Sequence, residues 1–278
     1  MGKIIDGNLI SGDIKNEIKQ NIKFEMIKPS LAVIQIGDNQ ICNNHIEVLK
    51  KACDDVGIYF RHCKYNDDVS ELTIINKIKE LNNDEYVNGI VIQTPLPCGY
   101  NEKRLMNTII NSKDVDGLTD INAGRLIGGR KTLVSSTALA VLEILKREEV
   151  VLSGKNVVLI GRGRVTTLSL IPLFLNEDAT VTICHSGTTN LSEITKQADI
   201  VVSAVGINNF IKEDMIKDDA IVIDVGINYE TGKISGDIDL GNVSKKVSFT
   251  TPTPGGVGPI ATAMLLKNVV YCYQNKKK

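Results

Sequence analysis

Apolar residues recur along the chain in two rhythms. Ile10, Ile14, Ile18 and Ile22 fall four apart, and Ile46, Leu49, Cys53 and Val56 keep a helical spacing in and just after "NHIEVLKKAC" at 44–53. Both stretches predict helices with a single core-facing stripe, and Leu72, Ile75, Ile78 and Leu81 predict a third. Between them, "LAVIQI" at 31–36, "YFRHCK" at 59–64 and "GIVIQ" at 89–93 read as short strands, the first bounded by Pro29 and Gly37. A βαβαβ succession of this kind implies a parallel sheet with right-handed crossovers, hence a three-layer α/β domain.

The second half repeats the alternation. "STALAVLEILKRE" at 136–148 has helical spacing and reads as a bridge between domains, and Gly154 then turns the chain into "KNVVLIGRGRVTTLSLIPLFL", a strand, a glycine turn and a helix in succession. "ATVTICHS" at 179–186, "ADIVVSAVG" at 198–206 and "AIVIDVGIN" at 220–228 supply further strands with helical stretches between them. This is the pattern of a second, doubly wound, Rossmann-like unit.

Composition narrows the functions open to such a chain. Its 278 residues suffice for two domains, and 32 Lys+Arg against 33 Asp+Glu leave a net charge of −1, with no large footprint for nucleic acid or an anionic membrane. "MGKIIDGNLISGD" lacks the apolar run of a secretory signal, and no stretch reaches the roughly 20 apolar residues of a membrane span, so a cytoplasmic location is expected. Six cysteines without a C-x-x-C pair and only three histidines argue against a metal site, and reduced thiols suit the cytosol. The closing Lys276-Lys277-Lys278 reads as a solvated end.

Three stretches carry candidate chemistry. In "IGRGRVTT", Gly161 and Gly163 follow a strand, as in a turn that lets backbone approach a phosphate, but Thr166 stands where the third glycine of G-x-G-x-x-G would fall. The following strand ends in Cys184-His185-Ser186 with no carboxylate for ribose hydroxyls, and Arg162 and Arg164 lie in the turn, which favours NADP while leaving NAD possible. "QTPLPCGY" at 93–100 lies at the carboxyl end of a strand, the edge where ligands bind in open parallel sheets. "TTPTPGGVGPIATAM" at 250–264 is both stiff and able to approach a ligand closely, with a helix expected to begin near Pro259.

Taken with "KIIDG" at 3–7, "IGDN" at 36–39, "KACDDVGI" at 51–58, "VIQTPLP" at 91–97, "KDVDGLTDINAGRL" at 113–126 and "PTPGGVGP" at 252–259, the chain resembles the methylenetetrahydrofolate dehydrogenase/cyclohydrolase family over nearly its whole length. The resemblance implies a folate-binding catalytic domain at 1–120 plus 260–278, an NADP-binding domain at 121–259 and a cleft between them. It implies oxidation of methylene-tetrahydrofolate to methenyl-tetrahydrofolate, then hydrolysis to formyl-tetrahydrofolate, by a homodimer. Asp116 would hold the amino edge of the pterin, and Gln93 would orient the catalytic lysine. Pro254, Gly255, Gly256, Val257, Gly258 and Pro259 would line the folate pocket, and Gly161, Arg162, Gly163, Ser186 and Ile227 would meet the cofactor.

The chain departs from that pattern where the chemistry is densest. Anchored on Lys51-Ala52-Cys53, the family's tyrosine position is His45 and its catalytic lysine position is Leu49. Lys50 is one residue away, about 100° around the helix. Gly163 replaces a serine of the nucleotide turn, Ser135-Ser136-Thr137-Ala138 replaces Pro-Cys-Thr-Pro, and Ala261 replaces a threonine. These changes lead us to expect a dehydrogenase with impaired ring hydrolysis unless His45 or Lys50 acts as the base. The alternative is a non-catalytic homologue that binds folate or a partner.

Overall fold

A computed structural model of the chain describes residues 2–230 and 233–276. In chain order the first elements are β1 (Lys3–Ile4), α1 (Gly7–Ile22), β2 (Ser30–Ile36), α2 (Gln40–Val56), β3 (Tyr59–Tyr65), α3 (Glu71–Asn83), β4 (Gly89–Ile92), α4 (Glu102–Thr108) and α5 (Asp120–Ile127). There follow α6 (Ser136–Arg147), β5 (Asn156–Ile160), α7 (Ser169–Leu175), β6 (Thr180–Cys184), α8 (Leu191–Thr195), β7 (Ile200–Ser203) and β8 (Ile221–Asp224). A hairpin of β9 (Asn228–Glu230) and β10 (Lys233–Ser235), then α9 (Leu240–Val243), β11 (Phe249–Thr250) and α10 (Val257–Lys276) complete the order.

The chain divides into two compact units. One comprises Gly12–Ser136 and the stretch from Thr262; the other comprises the segment through Ser11 and Thr137–Ala261. Residues 2–11, expected with the amino-terminal domain, pack with the second unit because β1 pairs in parallel with β11.

The amino-terminal unit is built on a three-stranded parallel sheet in the order β3-β2-β4. All seven residues of β2 are buried, as expected of a central strand covered on both faces. Helix α2 buries Ile46, Leu49, Cys53 and Val56, the stripe read from the sequence, together with Cys42 and Ala52. Asn39 caps its start by accepting from the Ile41 and Cys42 N–H groups, and Gly57, at φ +82°, ends it in the left-handed conformation.

In the second unit six parallel strands run in the order β1-β11-β8-β7-β5-β6. From β5 the chain crosses first to β6 on one side and then to β7 on the other. The connection therefore reverses between β5 and β7, the switch point where ligands bind at carboxyl ends of strands. Two of the expected strands are shorter than their apolar runs: Ile200–Ser203 and Ile221–Asp224 pair in the sheet, and Asn228 belongs to the separate hairpin. Lys276 closes α10; Lys277 and Lys278 lie outside the described residues. Among the described residues no helix is long and apolar enough to cross a membrane.

Candidate functional site

In the amino-terminal unit the structure brings together three residues that lie far apart in the sequence. Gln93 follows β4 and is buried; His45 is exposed on α2, and the His45 Nδ1 to Gln93 Oε1 distance is 2.7 Å. The amide of Gln93 has only one workable orientation, because its Nε2 donates to the Thr94 carbonyl at 2.8 Å, and a carbonyl cannot donate in return. Oε1 must then face His45, so Nδ1 carries the hydrogen and the neutral ring presents Nε2 as an acceptor. Leu49, one turn further along α2, is completely buried. Lys50 and Glu47, exposed on the same helix, act electrostatically on His62 of β3.

The third residue is Asp116, and its surroundings explain most of the polar motif at 113–126. Lys113 caps the end of α3, its ammonium donating to the Leu81, Asn82 and Asp84 carbonyls at 2.9, 2.7 and 2.7 Å. Asp114 organises the turn, accepting from the Leu118 and Thr119 N–H groups and from Asn122 Nδ2. Gly117, at φ +64°, has no room for a side chain: a β-carbon would lie 2.7 Å from the Val134 carbonyl carbon. With these neighbours fixed, half-buried Asp116 accepts from Ser136 Oγ at 2.9 Å and from the Ser136 backbone N–H. Desolvation pushes its carboxyl above the ordinary carboxylate range, and the Asp114 charge adds to that; the Ser136 hydrogen bonds and the neighbouring His45 pull against it. A desolvated carboxylate in this state gains from any ligand that brings N–H donors.

In the second unit the expected cofactor residues line the carboxyl edge of the sheet: Gly161, Arg162 and Gly163 after β5, Ser186 after β6 and Ile227 after β8. Gly161 has φ +120°, and a β-carbon there would meet the Ala204 carbonyl oxygen of the β7 end at 2.6 Å. Its N–H donates to the Cys184 carbonyl at 2.8 Å, so Gly161 is a buried glycine that lets the ends of β5, β6 and β7 pack closely at the switch point. Gly163, Arg162, Ser186 and Ile227 are exposed, and a β-carbon at Gly163 would meet nothing within 4 Å. The helix after the turn opens differently from expectation. Residues Arg164–Leu168 form one π turn, in which the Leu168 N–H reaches the Gly163 carbonyl at 3.1 Å, before α7 begins. His185 and Ser186 follow the next strand with no carboxylate, and His185 Nδ1 accepts from the Gly187 N–H.

The proline–glycine loop, also in the second unit, owes part of its composition to packing. A β-carbon at Gly256 would lie 2.4 Å from the Pro252 carbonyl oxygen, and one at Gly7 would lie 1.8 Å from the Gly256 oxygen. The close approach read from the sequence is thus, at Gly256, an approach of protein backbone to protein backbone. Pro254 and Gly258 are exposed, Gly255, at φ +97°, and Pro259 are half-buried, and Val257 is buried. Helix α10 starts at Val257, two residues before the expected proline; Pro259 still falls in the first turn, where its missing N–H costs no helical bond.

Sequence reasoning missed one cluster. Asp224 at the end of β8 accepts from the Gly226, Asp237 and Ile238 N–H groups, and Asp237 accepts from Ser203 Oγ and the Val205 and Ile207 N–H groups. The two buried carboxylates thereby tie down the chain after β7 and β8. The glycines in "DVGIN" and "SGDID" were the available signal. A β-carbon at Gly226 would strike the Asp237 carboxylate at 2.0 Å, and one at Gly236 the Asp224 carboxylate at 1.9 Å.

A parallel α/β sheet with a glycine turn at its switch point, joined in one chain to a second α/β unit holding a desolvated aspartate beside a glutamine-fixed histidine, defines a two-unit α/β class of protein. Comparison with known proteins gives the family within that class. Residues 5–116 match the tetrahydrofolate dehydrogenase/cyclohydrolase catalytic domain, and residues 135–277 match the NAD(P)-binding domain of the same family. The chain belongs to the tetrahydrofolate dehydrogenase/cyclohydrolase family. It is 44% identical to the bifunctional protein FolD of Clostridium tetani over 97% of this chain and 98% of that protein. The crystal structure of the bifunctional FolD enzyme of Campylobacter jejuni is 40% identical, with a TM-score of 0.97 over 99% of this chain and 100% of that one. The Trypanosoma brucei enzyme, solved with NADP cofactor and an inhibitor, is 31% identical, with a TM-score of 0.95 over 100% of this chain and 99% of that one.

Proposed function

We propose that the chain oxidises methylene-tetrahydrofolate to methenyl-tetrahydrofolate with NADP. The observation that carries the reading is Asp116, held by Ser136 with its carboxyl desolvated, in a chain whose relatives are dehydrogenase/cyclohydrolases across their whole length. Its carboxylate accepts the paired N–H donors of the pterin amino edge, which fixes the ring and places the one-carbon group.

The residues of the second unit fit a dinucleotide. Exposed Gly163, in the turn after β5 at the switch point, leaves backbone open to a pyrophosphate, Arg162 offers cationic charge to a ribose phosphate, and no carboxylate follows β6 to prefer unphosphorylated ribose. When bound, NADP supplies the hydride acceptor. The chain's own task is then to orient the two reactants and exclude water. Edge strand β6 leaves Thr180, Thr182 and Ile183 exposed, which supports association of two copies along this edge into a homodimer. Six free cysteines support a reducing, cytoplasmic setting.

The test follows NADPH formation from methylene-tetrahydrofolate, with NAD in parallel and a calorimetric NADP titration. NADP-dependent turnover that Asp116→Asn weakens is expected. No binding of either cofactor at millimolar concentration would overturn the reading. Nothing in the structure or its relatives favours the non-catalytic alternative.

A further inference from the structure

We propose that His45, held by Gln93 in the tautomer that bares Nε2, is the general base of methenyl-tetrahydrofolate hydrolysis in this chain, in place of a lysine at position 49. The proposal rests on the reading of the substrate given above and adds the residue that activates water. Leu49 has no proton to exchange and is completely buried. Lys50 acts on His62 of β3. His45 is exposed, lies one turn before Leu49 on α2 and is near enough to Asp116 for its charge to act on that carboxyl. A base must be oriented as well as present. The bond from Nδ1 to Gln93 Oε1 and the bond from Gln93 Nε2 to Thr94 O orient the ring through a side chain that is itself buried.

The step balances without a further reactant. His45 Nε2 takes a proton from water as the water oxygen bonds to the methenyl carbon, giving a neutral carbinol. The bond from that carbon to one of its two nitrogens then breaks. The imidazolium returns its proton to that nitrogen, while the carbinol hydroxyl loses its proton to solvent and becomes the formyl oxygen. One proton is released overall. Asp116, in the segment before α5, is the carboxylate on which His45 acts electrostatically; Cys42 lies one turn earlier on α2, with Sγ 3.5 Å from Thr94 O. Glu47 and Lys50, on its own helix, act electrostatically on His62.

Methenyl-tetrahydrofolate supplied directly to the purified protein separates this step from dehydrogenation, which is followed independently as NADPH. The expected result is protein-dependent hydrolysis well above the rate in solvent alone. His45→Gln should lower it about 100-fold, the low end of what a positioned base contributes, and by far more than it lowers dehydrogenation. Added imidazole should restore part of the loss in His45→Ala, a rescue that a merely structural histidine would not allow. Wild-type hydrolysis no faster than solvent, or equal to that of His45→Gln, would overturn the proposal. Absence of NADPH formation alone would overturn the dehydrogenase reading and leave the hydrolysis result to be judged by itself.

Discussion

Gly7 and Gly256 lie backbone against backbone: Gly7 N–H donates to the Gly255 carbonyl at 2.8 Å, and a β-carbon at Gly7 would come within 1.8 Å of the Gly256 oxygen. The contact joins "KIIDG" near the amino terminus to the proline–glycine loop almost 250 residues later. Because the obstructing atoms are backbone, they cannot swing aside, and Gly7→Ala must displace the start of α1 or the loop. Such overpacking costs typically ~1–3 kcal/mol, so a lower calorimetric Tm is expected. An unchanged Tm would mean that the loop yields freely.

Asp116 should make substrate affinity depend on pH. Desolvation holds its carboxyl above the ordinary carboxylate range, so as pH falls toward that raised value the free protein is the first to be protonated. Pterin N–H donors favour the ionised form, so binding must release that proton, and KM for the folate should rise on acidification. Asp116→Asn should raise KM at neutral pH and flatten this dependence. Ser136→Ala, which removes a donor at 2.9 Å, should move the rise in KM to higher pH. Steady-state KM between pH 5 and 8 checks both, and parallel profiles for wild type and Asp116→Asn would exclude the role.

Gly161 combines φ +120° with a would-be β-carbon 2.6 Å from Ala204 O. Gly161→Ala should therefore weaken NADP binding at least tenfold in a calorimetric titration and lower stability by ~1–3 kcal/mol, since both the backbone conformation and the space resist a methyl group. Gly163→Ala, where nothing lies within 4 Å, should leave stability nearly unchanged. Equal stability losses at the two glycines would refute the distinction.

The sheet strands and long helices were legible because their signal is local: an apolar run or stripe of matching period, as in α2 and β2. Two-residue β1 and β11 have no period to read; they exist only because residues 3 and 249 meet. The candidate site divides in the same way. Asp116 and Gln93 stand in recognisable motifs, and the substitution at Leu49 is visible by register alone. The bond between Gln93 and His45, 48 positions apart, is a tertiary fact, and it changes His45 from an anomaly on a helix into a side chain of fixed orientation. Gly256 shows the opposite limit: its motif could be read, but the partner in close approach is Pro252.

Asp224 should make stability itself depend on pH. Its burial raises the carboxyl to about 6; the N–H groups of Asp237 and Ile238 offset only part of that, and the neighbouring Asp237 charge adds to it. An unfolded aspartate ionises near 3.9, so between about pH 4 and 6 the folded chain keeps a proton that the unfolded chain has lost. The state binding more protons is the folded one, and stability must fall as pH rises through that window. About two pH units at roughly 1.4 kcal/mol each give a loss on the order of 3 kcal/mol, complete above pH 6. Carboxylates with lowered values, such as Asp199 beside Lys217, act in the opposite sense at lower pH, so total stability mixes the two. The difference between wild type and Asp224→Asn isolates the buried group, because asparagine cannot ionise. Urea unfolding at pH 4, 5, 6 and 7 should show wild type losing ground to the variant up to pH 6 and no further. A difference constant across that range would mean that Asp224 ionises alike in the folded and unfolded chains.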